Sequence, residues 1–199
     1  MSLGPTTDLG SRARGVMERS AAVLDALTRD GATLTAVVRL AEAVSTAVSE
    51  GGKVWLFGNG GSAADAQHFS AELVGRFLRD RRPLPAEALT ANSSIVTGLA
   101  NDYGFEQIFA RQLAAGARAG DVAIGISTLG RSANVAEGLK SARGLGVFTA
   151  ALTGGDGGLL ADLADVCIIV PATETPRIQE CHAVVAHVIC ELVEHTLPG

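Results

Sequence analysis

With 199 residues, the chain has the length of one domain and enough of it to bury a sizeable core. A make-up of 47% hydrophobic and 19% charged residues with 24 glycines suits a compact α/β protein and excludes a disordered one. The formal charge of −5, with no run of Lys or Arg, excludes a grip on nucleic acid through its phosphates, so a small anionic ligand has to be held by local groups.

Residues 1–10 read as a flexible N-terminus ahead of a single domain over 11–199. From about Ser11 to Asp30, Val16, Ala21, Ala22, Val23, Leu24, Ala26 and Leu27 recur in a helical pattern that Asp30-Gly31 ends. A second helix from about Ala32 to Ser49 carries a broad apolar stripe, Leu34, Val37, Val38, Leu40, Ala41, Val44 and Val48. Two such helices before the first strand expect burial against a partner subunit or against the chain's own sheet. No apolar run approaches the ~20 residues of a membrane helix, and the N-terminus lacks the apolar core of a signal peptide. Cys167, Cys181 and Cys190, an odd count without Cys-x-x-Cys spacing, read as buried thiols in a reducing cytoplasm.

Val54 to Phe57 is apolar at every step, as in a strand covered on both faces of a parallel sheet. Gly58, Gly60 and Gly61 follow, where a ligand can approach main-chain N–H groups. Ser62 reads as the N-cap of the next helix, with Asp65 echoing a capping box. The helix start favours an anionic or hydroxyl-rich ligand. His68 and Glu72, spaced i,i+4, share one face of that helix. The loop is no Walker A motif, because no Gly-Lys-Ser/Thr follows, and it lacks the spacing of a dinucleotide fingerprint.

Arg79-Asp-Arg-Arg-Pro-Leu-Pro reads as a loop with a solvated charge run. Ala86 to Leu89 is a short strand, Asn92 or Ser93 caps a helix reaching Asp102, and Phe105 to Ala117 is helical. The remaining alternation is a strand over Asp121 to Ser127, a helix over Arg131 to Leu145 and a strand over Val147 to Leu152. A short helix over Gly157 to Leu163, a strand over Val166 to Val170 and a helix over Thr175 to Thr196 complete the chain. Strands separated by helices give a doubly wound, flavodoxin-like parallel sheet of about five strands. Ligands then sit at the carboxyl ends of the strands, where Gly58-Asn-Gly-Gly, Ser127-Thr-Leu-Gly and Thr153-Gly-Gly-Asp all fall. The hydroxyls and N–H groups of Ser127-Thr128-Leu129-Gly130-Arg131-Ser132 suit a phosphate cradle or a plain loop with an N-cap serine, and the residues alone leave both open.

The stretch Gly58-Asn-Gly-Gly-Ser-Ala-Ala-Asp-Ala-Gln-His-Phe-Ser-Ala-Glu-Leu-Val-Gly-Arg76 resembles the signature of phosphoheptose isomerases, within the sugar isomerase (SIS) domain superfamily. The resemblance continues at Ala91-Asn-Ser-Ser, Ala100-Asn-Asp-Tyr-Gly-Phe, Gly125-Ile-Ser-Thr, Ala151-Leu-Thr-Gly-Gly-Asp-Gly-Gly and Arg177-Ile-Gln-Glu, nearly the whole chain after the first two helices. It implies an aldose–ketose isomerase that converts sedoheptulose 7-phosphate to D-glycero-D-manno-heptose 7-phosphate. It also implies a homotetramer, with sites completed within one subunit or shared between two. His68, Glu72, Gln179 and His187 resemble the ligands of a zinc ion, one per subunit, and Glu72 and His187 the catalytic base and acid. Asn59, Gly60, Gly61, Ser62, Glu72, Arg76, Asn101, Asp102, Ser127, Thr128, Leu129, Ser132 and Gln179 match positions that contact the sugar phosphate. The family pattern has serine where this chain has Leu129, so one hydroxyl donor is lost while the backbone N–H at 129 remains.

Moving a proton between adjacent carbons through an enediol needs a carboxylate or imidazole to take it and an acid near the oxygens, so a Glu–His pair has chemical sense. Gln179 and His187 lie eight residues apart on one helix, about 12 Å of rise and about 80° of rotation. One metal serves both only if it lies between them, if the helix bends or starts late, or if two subunits contribute. His182 reads as a core or interface histidine and His195 as a complement to its helix C-terminus. A non-catalytic SIS protein of the kind that associates with the replication initiator DnaA, and an isomerase of another phosphosugar, are the competing readings; the pairing of Glu72 with His187 favours the enzyme.

Overall fold

The computed structural model describes residues 8–197. Residues 1–7 of the expected N-terminal segment lie outside that range; Asp8 already caps the first helix, accepting from the N–H groups of Gly10 and Ser11. The elements run α1 (Leu9–Arg29), α2 (Gly31–Ser49), β1 (Val54–Gly58), α3 (Gly61–Val74), β2 (Ala86–Ala88), α4 (Ser93–Tyr103) and, after a 3₁₀ turn at Phe105–Gln107, α5 (Ile108–Gly116). They continue with β3 (Val122–Ile126), α6 (Ala133–Gly144), β4 (Phe148–Gly154), α7 (Leu160–Leu163), β5 (Val166–Val170) and α8 (Thr175–Thr196).

All five strands pair in parallel, in the order β2-β1-β3-β4-β5. Strand alternation divides the core in two. Val54, Leu56, Ile124 and Leu152 join the cluster under α2, α3 and α8, whereas Trp55, Phe57, Ala123 and Ala151 join Phe109, Leu113 and Leu139 beneath α5 and α6. Every residue of β1 and β3 is buried, as a strand covered on both faces requires.

Of the first two helices, α2 packs on the chain's own sheet, burying Val37, Leu40, Ala41, Val44, Ala47 and Val48. By length and mean hydropathy α2 meets the requirement for crossing a membrane, contrary to the sequence expectation, and its burial against the sheet and α8 accounts for that composition. In α1 only Leu27 is buried, and Arg177 of α8 anchors the helix through the Val16 carbonyl at 2.9 Å. Asp30 ends α1 and also starts α2, its carboxylate accepting from the N–H groups of Ala32 and Thr33.

Candidate active site

Two parallel helices, α3 and α8, frame the site. Their contacts climb in step: Gly61 with Gln179, His68 with His187, and the segment after α3 at Phe77 with Glu194. On α8 eight and seven residues separate successive levels, about two helical turns each, so all three fall along one stripe; on the other side the spacings are seven and nine, the last level lying past the end of α3.

At the first level the strand-to-helix turn differs from its sequence reading. Gly60, at φ +56°, is the N-cap, and α3 begins at Gly61. Ser62, expected as the cap, is buried inside the helix with its N–H on the Asn59 carbonyl at 3.0 Å. Asp65 completes no capping box; its Oδ2 is buried without a partner among the described residues, and burial raises its pKa against the opposing pull of His68. Gly58 is required because a Cβ there would meet the Ile126 carbonyl and Ser62 at 2.8 Å, so β1, β3 and α3 close on one another. A Cβ on Gly61 would stand 2.1 Å from Nε2 of Gln179, which shows how closely that amide lies on the turn.

Asn59 forms a reciprocal amide pair with Asn134 at the start of α6, at 2.8 and 2.9 Å. Asn134 is buried and escaped the sequence reading, since an Asn in the first turn of a helix carries no signal of its distant partner. The pair ties the first loop to the second, where Ser127 Oγ and Ser132 Oγ stand 2.9 Å apart. The N–H groups of Thr128, Leu129 and Arg131 make no hydrogen bond among the described residues and lie just before the N-terminus of α6, a concavity suited to an anion. Gly130 takes φ +64°, and a Cβ there would meet the Gly157 carbonyl at 1.9 Å, so the third loop is stacked on the second. The Leu129 side chain lies against Gly155 and the apolar cluster beneath α8.

At the second level, Nε2 of His68 and Nε2 of His187 face each other at 2.8 Å, one ring donating to the other. The rings meet edge to face, and Phe77 stacks on His187 with centroids 5.4 Å apart and planes 28° from parallel. Glu72 Oε1 lies 3.7 Å from Nδ1 of His68. The three side chains form a row, with Glu72 beside Nδ1 of His68 and His187 at its Nε2. Gln179 does not join them, because α8 is one continuous helix and its amide rests on Gly61.

Two imidazoles and a carboxylate are donor types that zinc accepts, but the two Nε2 atoms, 2.8 Å apart, have to part to about 3.3 Å to hold an ion at tetrahedral Zn–N distances of about 2.0–2.1 Å. Among the described residues no group of three or more His, Cys, Asp or Glu side chains converges on one point. Glu72 has to turn from the Nδ1 side of His68, and Gln179 has to leave Gly61, to complete a coordination sphere.

The third level departs from the solvated reading of the arginine run at one residue: Arg76, Arg79 and Arg82 are exposed, whereas the Arg81 side chain is buried. Arg81 and Glu194 form a buried ion pair at 2.9 Å, with side chains 4% and 3% exposed. The Glu194 carboxylate also accepts from the N–H groups of Phe77, Leu78 and Arg79, each at 2.9 Å. Burial alone would raise its pKa, but these donors and Arg81 outweigh it and hold the group below its ordinary value. Arg81 in turn donates to the carbonyls of Glu72 and Leu73, closing the C-terminus of α3.

Of the other expected residues, Arg76 is exposed just past the end of α3. Asn101 and Asp102 are exposed on α4, where Asn101 Nδ2 donates to Asp102 Oδ1 at 2.8 Å. His182 is a core histidine, fully buried, with Nε2 3.0 Å from the Thr153 carbonyl and Nδ1 without a partner among the described residues; burial pushes its pKa down to about 4. All three cysteines are free, Cys181 and Cys190 buried and Cys167 partly so.

A family model for the SIS domain matches residues 12–154. The chain is 60% identical over 158 residues to a phosphoheptose isomerase of Aquifex aeolicus, a match covering 79% of this chain and 83% of that one. It is 50% identical over 173 residues to one of Rhodospirillum rubrum, covering 87% and 92%. The solved structure of a phosphoheptose isomerase from Neisseria gonorrhoeae superposes with a TM-score of 0.88 at 39% identity, over 94% of this chain and 100% of that one. That of Francisella tularensis gives 0.89 at 34% identity, over 94% and 98%.

Proposed function

The chain belongs to the phosphoheptose isomerases of the SIS domain family, and we propose from that membership and from its site that it interconverts sedoheptulose 7-phosphate and D-glycero-D-manno-heptose 7-phosphate, in the making of activated heptoses. The observation that carries the reading is the row of contacts Glu72–His68–His187 across the facing stripes of α3 and α8. That cluster lies along the helices from a turn suited to an anion, so an extended sugar can place its phosphate at Ser127–Ser132 and its C1 and C2 at the imidazoles.

The Glu72 carboxylate takes a proton from C1 of the ketose, and His187 protonates the oxygen on C2, giving the enediol. Loss of the proton from the C1 oxygen and return of a proton to C2 complete the aldose. Thr128, Leu129 and Arg131 offer main-chain N–H groups to the phosphate, Ser127 and Ser132 their hydroxyls, and Gln179 its amide to a hydroxyl at the Gly61 turn. A zinc ion would be held by His68, Glu72 and His187, with Gln179 as fourth donor once its side chain leaves Gly61. Such an ion stabilises negative charge on the sugar oxygens when bound.

We assign the protein to the cytoplasm, in keeping with its three free thiols, and expect a homotetramer. Support for assembly comes from exposed apolar side chains on neighbouring helices, Leu34 and Val38 of α2 with Val184 and Val188 of α8, and from Met17 of α1.

The test is product formation and deuterium uptake from D₂O, followed by NMR, with sedoheptulose 7-phosphate and with or without a chelator. Heptose 7-phosphate formed by wild type and abolished in Glu72→Gln, whose fold is unchanged, is the expected result. Activity lost on chelation and restored by zinc supports the metal, and turnover that survives chelation removes it. No exchange and no product, with or without zinc, defeats the enzyme reading in favour of a binding protein or another sugar.

A further inference from the structure

Neither Arg81 nor Glu194 touches the reacting atoms in the scheme above, yet both are almost fully buried beside them. Glu194 lies one helical level beyond His187 on α8, and its carboxylate gathers three successive main-chain N–H groups, those of Phe77, Leu78 and Arg79. Three parallel donors on one carboxylate set the direction of that segment, and the segment carries the Phe77 ring onto His187. Arg81 completes the loop of contacts: Nε pairs with Glu194, Nη2 takes the Glu72 carbonyl at 2.8 Å and Nη1 the Leu73 carbonyl at 2.9 Å. A second arginine, Arg79, donates to the Glu194 main-chain carbonyl at 2.6 Å, fixing the same turn of α8.

We propose that Arg81 and Glu194 are positioning residues of the isomerase: they clamp the C-terminal end of α3 to α8, which fixes the main chain of Glu72 and presses Phe77 against the face of His187. The base and the acid sit on different helices, so their separation is only as well defined as the joint between those helices. Above them the helices meet at Gly61 and Gln179, and the Arg81–Glu194 pair is the joint below. Without it the Glu72 carbonyl loses its donor, although Leu73 keeps the Leu84 N–H, and the segment that aims the Phe77 ring loses its anchor. Lysine cannot replace Arg81, because a single ammonium cannot span a carboxylate and two carbonyls in one plane.

This inference rests on the isomerase reading, so its test combines kinetics with a readout that needs no substrate. The variants are Arg81→Lys, Glu194→Gln, Phe77→Leu and Phe77→Tyr, each taken forward once its circular dichroism matches wild type. The expected kinetic result is a kcat lower by roughly ten- to a hundredfold in the first three, with KM nearly constant because the phosphate cradle lies at the other end of the site. Phe77→Tyr, which keeps the stacked ring, should retain activity. The double variant Arg81→Lys with Phe77→Leu should be little worse than either alone, since both interrupt one path. In NMR spectra of the free protein, the His187 ring protons should lose the Phe77 ring-current shift in Arg81→Lys and Glu194→Gln as they do in Phe77→Leu.

Folded variants with wild-type kcat, a loss confined to KM, or a His187 spectrum that Arg81→Lys and Glu194→Gln leave unmoved would overturn the proposal. Should those two fail to fold, Phe77→Leu with full kcat overturns it and Phe77→Leu rescued by Phe77→Tyr upholds it. A wild type that binds but does not turn over the sugar defeats the isomerase reading by itself, while the ring-current result still decides whether the clamp orients His187.

Discussion

Replacing Gly61 by alanine should separate function from stability at this site. A Cβ at that position would stand 2.1 Å from Nε2 of Gln179, 2.8 Å from its Cδ and 3.2 Å from its Oε1. Ordinary contact begins near 3.5 Å, so the amide has to withdraw by roughly 1.4 Å. Because it is the far end of a flexible side chain, it can swing away at little energetic cost to the fold. Gly61 is the first residue of α3 and does not take a positive φ, so alanine meets no backbone strain and gains up to about 1 kcal/mol in helix propensity. A displacement of about 1 Å in a substrate-positioning group costs on the order of a hundredfold, or about 2.7 kcal/mol of transition-state stabilisation. Gly61→Ala should therefore lose about that much in kcat/KM with an unchanged or slightly raised Tm. Gly15→Ala on α1 is the control, since a Cβ there meets nothing within 4 Å; it should leave activity unchanged. A Gly61→Ala enzyme with kcat/KM within about threefold of wild type would refute the role given to Gln179 at the turn and leave the amide to the ion alone.

Leu129→Ser, which restores the family serine, should leave the KM for the sugar phosphate unchanged, because the side chain at 129 lies on Gly155 and the apolar cluster and only its N–H faces the loop. It should lower stability by about 1–2 kcal/mol, as expected for removing a half-buried leucine, which urea unfolding will read. A lowered KM would place residue 129 in the pocket instead. His182 carries a pH dependence: with a folded pKa of about 4 against an ordinary 6.5, the unfolded chain binds the extra proton between those values. Its contribution is thus complete above about pH 6.5 and falls by about 2 kcal/mol on going to pH 5. In His182→Gln, which keeps a donor for Thr153, the difference in stability between pH 7 and pH 5 should shrink by that amount; an identical pH dependence in the two proteins would show that His182 does not titrate as its burial implies.

Order and type of the elements were legible along the chain because their signals are local. Val54–Gly58 and Val122–Ile126 are apolar at every step because both faces of the sheet are covered, and α2 and α8 carry stripes at helical spacing. The doubly wound topology follows from strands alternating with helices, and it places Gly58–Gly61, Ser127–Ser132 and Thr153–Gly157 at one end of the sheet. His68 and Glu72 on one face follow from their spacing alone.

Tertiary structure decided what those residues meet. Arg81 and Glu194 are 113 positions apart, and nothing near either says that a charge in a polar loop is destined for burial. Asn59 and Asn134 are 75 apart and look like separate loop and helix-start residues until the sheet brings their loops together. Ser62 loses the capping role its position suggests because Gly60, free to take positive φ, starts the helix two residues earlier. Gln179 rests at Gly61 rather than beside His187 because α8 runs unbroken alongside α3, holding the two residues about 12 Å apart in rise. Periodicity and backbone preference are written into neighbouring residues, whereas burial, ion pairing and the aim of a side chain depend on surfaces that exist only once distant segments have packed.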